Sequence, residues 1–414
     1  MSKIVVAQKG AREHFLAARA MHRQGMLARL VVDWYAPQSA AGRALVSLFG
    51  GEHVASALAA HCDELPRDLV WSFPARSVFW KWHGQRLAAR GRIHEAYLET
   101  DAAFARALGR MKLPPHDVFF GYSYAALEAL EAEKDCGCLI LLDQIDPGPA
   151  HFRLVAEEMM RHPELAGLPA AFPAAYYGRV QREWELADVI VVNSEWSRDA
   201  IVSEGADAAK IEVLPLAYET EHGARSKESG MLRVLWLGQV NVGKGIHYLL
   251  QAARLLQQEP VEFLIAGPLG VRREIVGSAP KNVRWLAPVP RNQATKLYQE
   301  CDVFVLPTLS DGFAITQLEA FAHGLPVITT PNCGRVVEDR VTGFIIPPRD
   351  PKALAEAIMN FVRHPELAGE MSPHCIEASK SFSVDAYGIR LVGIIEKHMA
   401  CRRTESQRSA ASSP

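Results

Sequence analysis

No apolar run in this 414-residue chain approaches the roughly 20 residues that span a bilayer as a helix. An excess of one charge is also missing. The formal net charge is −2, which gives no global electrostatic case for nucleic acid. The seven cysteines are odd in number and scattered, with no Cys-x-x-Cys pair, so a disulfide framework is not indicated. Such usage fits a reducing compartment. Cys136 and Cys138, on either side of one glycine, read as small buried apolar residues rather than metal ligands. The opening "MSKIVVAQKG" has one lysine and then a short apolar run, which reads as a first strand and not a signal peptide. The expectation is a cytoplasmic protein whose membrane contact, if any, is peripheral.

What is present is an ordinary globular composition, 49% hydrophobic and 22% charged. The length exceeds one typical core, so two domains are expected. Both halves alternate short apolar runs with amphipathic stretches. The first half has "KIVVAQ", "LARLVVDWY", "DVFFGYS", "CLILLDQ" and "DVIVVNS"; the second has "LRVLWLG", "EFLIAGP", "NVRWLAP", "DVFVLPT" and "LPVITTP". This β–α rhythm predicts two α/β domains with doubly wound parallel sheets. The expected divisions are residues 1–216, a polar linker 217–231, a second domain 232–402 and a disordered tail 403–414. Ligands in such folds bind at the carboxyl ends of strands, here in a cleft between domains.

Two stretches carry chemistry. In "VLWLGQVNVGKGIHYLL", Gly238, Gly243 and Lys244 have the spacing of a phosphate-cradling P-loop. That loop needs a Ser or Thr hydroxyl after the lysine to bind magnesium, and here the residue is Gly245. Its partner aspartate at a strand end would be Asp143, which lies across the linker. A magnesium-dependent nucleoside triphosphatase is therefore the disfavoured alternative. In "SDGFAITQLEAFAHGLPVI", Asp311 and Glu319 are separated by seven residues. A helix beginning near Phe313 would turn the N–H groups of Phe313, Ala314 and Ile315 toward the cleft, where phosphate or hydroxyl oxygens could accept from them.

Together these stretches resemble the retaining nucleotide-sugar glycosyltransferases of family 4, which have the GT-B fold. The matching residues are Gly238 and Lys244-Gly245, then Asp311-Gly312-Phe313 and Glu319. "AGPLG", "HGLPVITT" and "VEDRVTGFIIPPRDPKALAEAI" agree around them. The resemblance is strong from about 232 to 365, weaker at "REWELADVIVVNSEWSRDAI", and only rhythmic over residues 1–120. Two positions depart from it. Gln239 stands where the family usually has Arg, leaving Arg272 or Arg273 to compensate, and Asp311 stands where it usually has Glu.

The resemblance implies that Lys244 holds the donor diphosphate, Glu319 the ribose and Asp311 the sugar hydroxyls. The backbone around Gly238, Gln239, Gly245, Gly312, Phe313, Ala314 and Ile315 would complete the donor site. Bland alternatives are a solvated lysine, a helix-surface glutamate and a helix-capping aspartate. The family often has a first-domain histidine near the reacting sugar; in "LLDQIDPG" the polar choices are Asp143 as a catalytic carboxylate, with Gln144 and Asp146 toward the acceptor. Loop capping explains them as simply. Gly10 would let the backbone approach a ligand, or is an ordinary turn. Residues 73–92, "FPARSVFWKWHGQRLAARGR", are basic and aromatic without an acid, suiting an anionic membrane or glycolipid. No Asp-x-Asp occurs, and neither metal nor cofactor is expected. The implied activity is transfer of a sugar from a nucleoside-diphosphate donor to a carbohydrate or lipid-linked acceptor. Rivals on the same fold are a sugar-nucleotide binder without catalysis, an epimerase and a hydrolase.

Overall fold

A computed structural model describes residues 2–37, 60–165, 174–219, 230–286, 288–289 and 291–411. The first sheet holds seven strands, β1 (Ile4–Gln8), β2 (Leu27–Val32), β3 (Val70–Ser72), β4 (Val118–Tyr122), β5 (Leu139–Gln144), β6 (Val189–Val192) and β7 (Ile211–Val213). Their order is β3-β2-β1-β4-β5-β6-β7, and every pairing is parallel. The second sheet holds six, β8 (Leu232–Leu237), β9 (Val261–Ala266), β10 (Val283–Leu286), β11 (Val303–Leu306), β12 (Val327–Thr329) and β13 (Gly343–Ile345), in the parallel order β10-β9-β8-β11-β12-β13. Helices cover both faces, which is why β1, β4 and β5 are buried at every position and read as continuous apolar runs.

Each sheet reverses its strand order once, between β1 and β4 and between β8 and β11. Side loops diverge at such a point and leave a crevice at the carboxyl ends of the strands. The segments after β8 and β11, residues 238–245 and 307–315, are the two that carry the motifs.

The chain does not end where its second domain does. The helix Val384–Ala411 returns to the first domain, where Val384, Tyr387, Leu391 and Ile395 join the core of Ile4, Val6, Phe15 and Leu16. Arg23 fixes this crossing by pairing with Glu64, Glu219 and Asp385. The boundary expected at residue 402 is therefore corrected: an amphipathic period shows that a helix has an apolar face but not which core receives it. The tail expected to be disordered from 403 is helical through Ala411. Of the expected linker, residues 220–229 lie outside the described residues. No described helix is long and apolar enough to cross a membrane.

Candidate functional site

The cleft between the domains has a volume of about 1200 Å³, and its wall includes Asp146, His151 and Asn193 from the first domain and Lys244, Asp311 and Glu319 from the second. Gly238 ends β8 at φ 151°. Gly245 sits at φ 69°, and a Cβ there would lie 1.8 Å from the Pro307 carbonyl oxygen. This position admits no side chain at all, which is a physical reason for the absent Ser or Thr. Between these glycines, Asn241 Oδ1 accepts the Lys244 N–H at 2.9 Å. The Lys244 ammonium then meets the Asp311 carboxylate from the neighbouring loop.

Asp311 is used on both oxygens. While Oδ2 takes Lys244, Oδ1 accepts the N–H groups of Phe313 at 3.3 Å and Ala314 at 3.0 Å. The helix begins later than expected, at Thr316, and Ala314 adopts φ 62° to reach it. Two of the three N–H groups expected to face a ligand are thus already occupied, because a short carboxylate just before them caps the turn. Phe313 itself is core, packed beside Phe382. In the first turn of that helix, Glu319 lines the cleft while its Oε2 accepts from the buried Tyr298 hydroxyl at 2.8 Å, which fixes its rotamer.

The first domain clasps this loop directly. Ser194 and Ser197 both donate to the Gly312 carbonyl, and Trp196 Nε1 donates to Ser310 Oγ at 3.1 Å. A Cβ on Gly312 would lie 2.9 Å from Asn193 Nδ2, so this glycine serves the close approach of the two domains. Further along the seam, Glu158 of the helix Pro149–Arg161 is fully buried. It accepts from His247 Nε2 at 3.1 Å, from the Tyr248 hydroxyl, and from Arg349 Nε at 2.8 Å, all in the second domain.

The first-domain candidates divide. Asp143 is buried and is not part of the cleft wall; it lies near Tyr387 of the returning helix. Burial, then the nearby Glu13 carboxyl, push its pKa well above the usual carboxylate range, with Arg12 opposing. Gln144 is buried too, bonded to Trp184 Nε1 at 2.9 Å and to Asp146. Asp146 alone of the three reaches the cleft, with its Oδ1 accepting from Tyr124, Gly148 and Gln144. Gly10 makes a turn at φ 80°, its N–H on Asp33 Oδ1 at 2.7 Å; its neighbour Ala11 lines the cleft. Gln239, Arg272 and Arg273 are exposed and stand off the cleft wall.

Residues 232–364 match the family described as glycosyl transferases group 1. That match lies wholly within the second domain. The D-inositol 3-phosphate glycosyltransferase of Corynebacterium urealyticum is 30% identical to it over 204 residues, 42% of this chain and 48% of that protein. The amylovoran biosynthesis glycosyltransferase AmsK of Erwinia amylovora is 25% identical over 177 residues, 38% of this chain and 44% of that protein. The chain thus spans less than half the length of either relative. Among solved structures, a sucrose-phosphate synthase from Thermosynechococcus elongatus superposes with a TM-score of 0.62 at 15% identity, covering 96% of this chain and 100% of that one. Anabaena HepE, solved with UDP and glucose, gives 0.58 at 14% identity, covering 96% and 100%. These likenesses establish the fold, two Rossmann-like domains in the GT-B arrangement.

The second domain faces a cleft residue that sequence reasoning missed. His151, in the first turn after Gly148-Pro149, has its Cε1 3.2 Å from where a Cβ on Gly243 would be, and its Nδ1 has no hydrogen-bond partner among the described residues. Burial lowers its pKa, against the pull of Asp146 and Asp311 and with the push of Lys244. A polar residue opening the helix that follows a strand was the available signal. Elsewhere among the described residues, two clusters bring three ligand-type side chains together, His116 with Glu133 and Cys138, and Glu158 with His162 and His247. The bland reading of the cysteine pair is half corrected: Cys138 is buried in the first cluster, but Cys136 is exposed.

Proposed function

We propose that the protein is a retaining glycosyltransferase, moving a sugar from a nucleoside-diphosphate donor on the second domain to a carbohydrate or glycolipid acceptor on the first, without a metal ion. The observation that carries this reading is the Lys244–Asp311 pair, formed by two strand-end loops at the mouth of the interdomain cleft. An ammonium on a fixed loop can exchange its carboxylate partner for a diphosphate. As the glycosidic bond breaks, negative charge grows on the leaving phosphate, and a cation held in a poorly hydrated cleft stabilises it more than water would. Glu319, its rotamer held by Tyr298, accepts the ribose hydroxyls. Asp311, released by Lys244 on one oxygen, accepts a sugar hydroxyl while its other oxygen keeps the turn closed. Asp146 replaces Asp143 as the first-domain carboxylate beneath the reacting sugar, because Asp143 is buried and shifted toward its neutral form. His151, poised neutral between Asp146 and Lys244, contacts the same region.

The solved HepE complex with UDP and glucose supports a nucleotide-sugar ligand for this fold. The deciding experiment is a screen of nucleotide sugars by thermal shift and calorimetry, followed by transfer assays with and without exhaustive chelation. Saturable binding of one donor, chelator-resistant transfer and an unchanged anomeric configuration by NMR are expected. Loss of activity on chelation, restored by Mg²⁺, would overturn the metal-free reading, and inversion of the anomer would overturn retention.

A further inference from the structure

Four of the twelve large apolar side chains exposed among the described residues fall within twelve residues of sequence: Trp71, Val78, Phe79 and Trp82, between 44% and 59% exposed. Trp71 lies on the edge strand β3, and the others lie on the helix Pro74–Ala88 that follows it. That helix buries its other face, Ser77 and Leu87, with Gly84 allowing close packing on Thr100 of the helix Ile93–Gly109. A surface helix packed on one side is normally polar on the other. This one is not. Phe79 and Trp82 are ring neighbours with centroids 6.0 Å apart, and Arg86 lies over Trp82 at 5.5 Å. Arg92 is tied to Glu95 and His83 to Glu99, whereas Arg76, Lys81, Arg86 and Arg90 pair with no carboxylate among the described residues.

We propose that this face docks on an anionic membrane leaflet, Phe79 and Trp82 entering the headgroup layer while Arg76, Lys81, Arg86 and Arg90 meet the lipid phosphates. Charge complementarity selects that occupant. Protein interfaces exclude lysine from their cores, whereas interleaved aromatics and cations without an acid suit the bilayer interface. The face also connects to the cleft. Ser77 Oγ lies 3.5 Å from one oxygen of Asp33, whose other oxygen holds the Gly10 N–H on the acceptor side. The proposal stands apart from the glycosyltransferase reading, since binding to lipid needs no transfer.

Vesicle sedimentation tests it, with phosphatidylglycerol mixed into phosphatidylcholine against phosphatidylcholine alone. Wild type is expected to pellet with the anionic vesicles only, and less as salt rises. Each cation near such a surface changes affinity about fivefold, so the triple variant Arg76→Glu, Lys81→Glu, Arg86→Glu is expected to lose about a hundredfold or more. Phe79→Ser with Trp82→Ser, at exposed positions where an unchanged melting temperature is expected, should lose about tenfold or more. Failure of wild type to pellet with anionic vesicles overturns the proposal, as does equal pelleting of all three proteins. A lipid-free dimer that Phe79→Ser with Trp82→Ser dissolves would also overturn it, assigning the face to a second copy of this chain.

Discussion

The two walls of the cleft hold charge differently. On the second domain, Lys244 pairs with Asp311 and Glu319 accepts from Tyr298, and all three acidic or basic groups still line the open cleft. On the first, Asp143 is buried among core residues, Asp146 takes three donors on one oxygen, and burial biases His151 toward neutrality. One wall presents ions that a ligand can claim by exchange. The other presents polar groups already committed, suited to shape and orientation more than to affinity. This contrast supports the proposed placing of the donor on the second wall and the acceptor on the first.

The largest effect that would sharpen this contrast is expected at Gly245. Gly245→Ser restores the P-loop hydroxyl on paper but drives a Cβ into the Pro307 carbonyl oxygen. We expect destabilisation of about 3 kcal/mol or more in denaturant titrations, and no magnesium-dependent triphosphatase activity. A well-folded variant that hydrolyses nucleoside triphosphate would contradict the assignment of this loop.

Next comes the division of labour on the donor wall. Glu319→Gln is expected to weaken a free nucleoside diphosphate as much as the full donor, at unchanged turnover. Asp311→Asn is expected mainly to lower turnover, through a misplaced sugar and a less constrained Lys244. Calorimetry beside initial rates separates the two; equal loss of nucleotide affinity in both would merge their roles.

A smaller effect belongs to the seam. Glu158→Gln removes the carboxylate that gathers His247, Tyr248 and Arg349, and should cost about 1–3 kcal/mol, read as a lower or divided thermal transition. An unchanged melt would mean that the contacts around Gly312 hold the domains without it.

The smallest is a pH effect at the same seam, where His162, Glu164, Tyr248 and Arg349 surround His247 and Glu158. Burial lowers the His247 pKa from 6.5 to about 4, against the pull of Glu158. Between those values the unfolded chain takes a proton that the folded chain refuses, so this contribution is full above pH 6.5 and falls toward pH 4. Burial raises the Glu158 pKa, but hydrogen bonds from Tyr248, Arg349 and His247 outweigh it and the net shift is downward, so its contribution also fades in acid. The melting temperature should drop over that window, and by less in Glu158→Gln.

The same two walls differ in how far sequence revealed them. Gly238, Lys244, Asp311 and Glu319 sit in two contiguous stretches whose spacing is itself the signal. His151 gains its meaning only beside Gly243, Asp146 and Asp311, which arrive from three segments. Asp143 was misplaced because strand side chains alternate faces, and the ending "LLDQ" does not say which face the returning helix will cover. β3, β7 and β13 are edge strands of three residues, too short to show a period. The Glu158 seam joins residues 89 to 191 positions apart, beyond any local pattern.

The most direct test of the donor-wall assignment is calorimetric titration of a nucleoside diphosphate, together with single-turnover transfer, for wild type and Lys244→Ala. The account predicts a folded variant with weakened diphosphate binding and about 2–4 kcal/mol less transition-state stabilisation. A folded Lys244→Ala protein that binds and transfers as wild type does would contradict it.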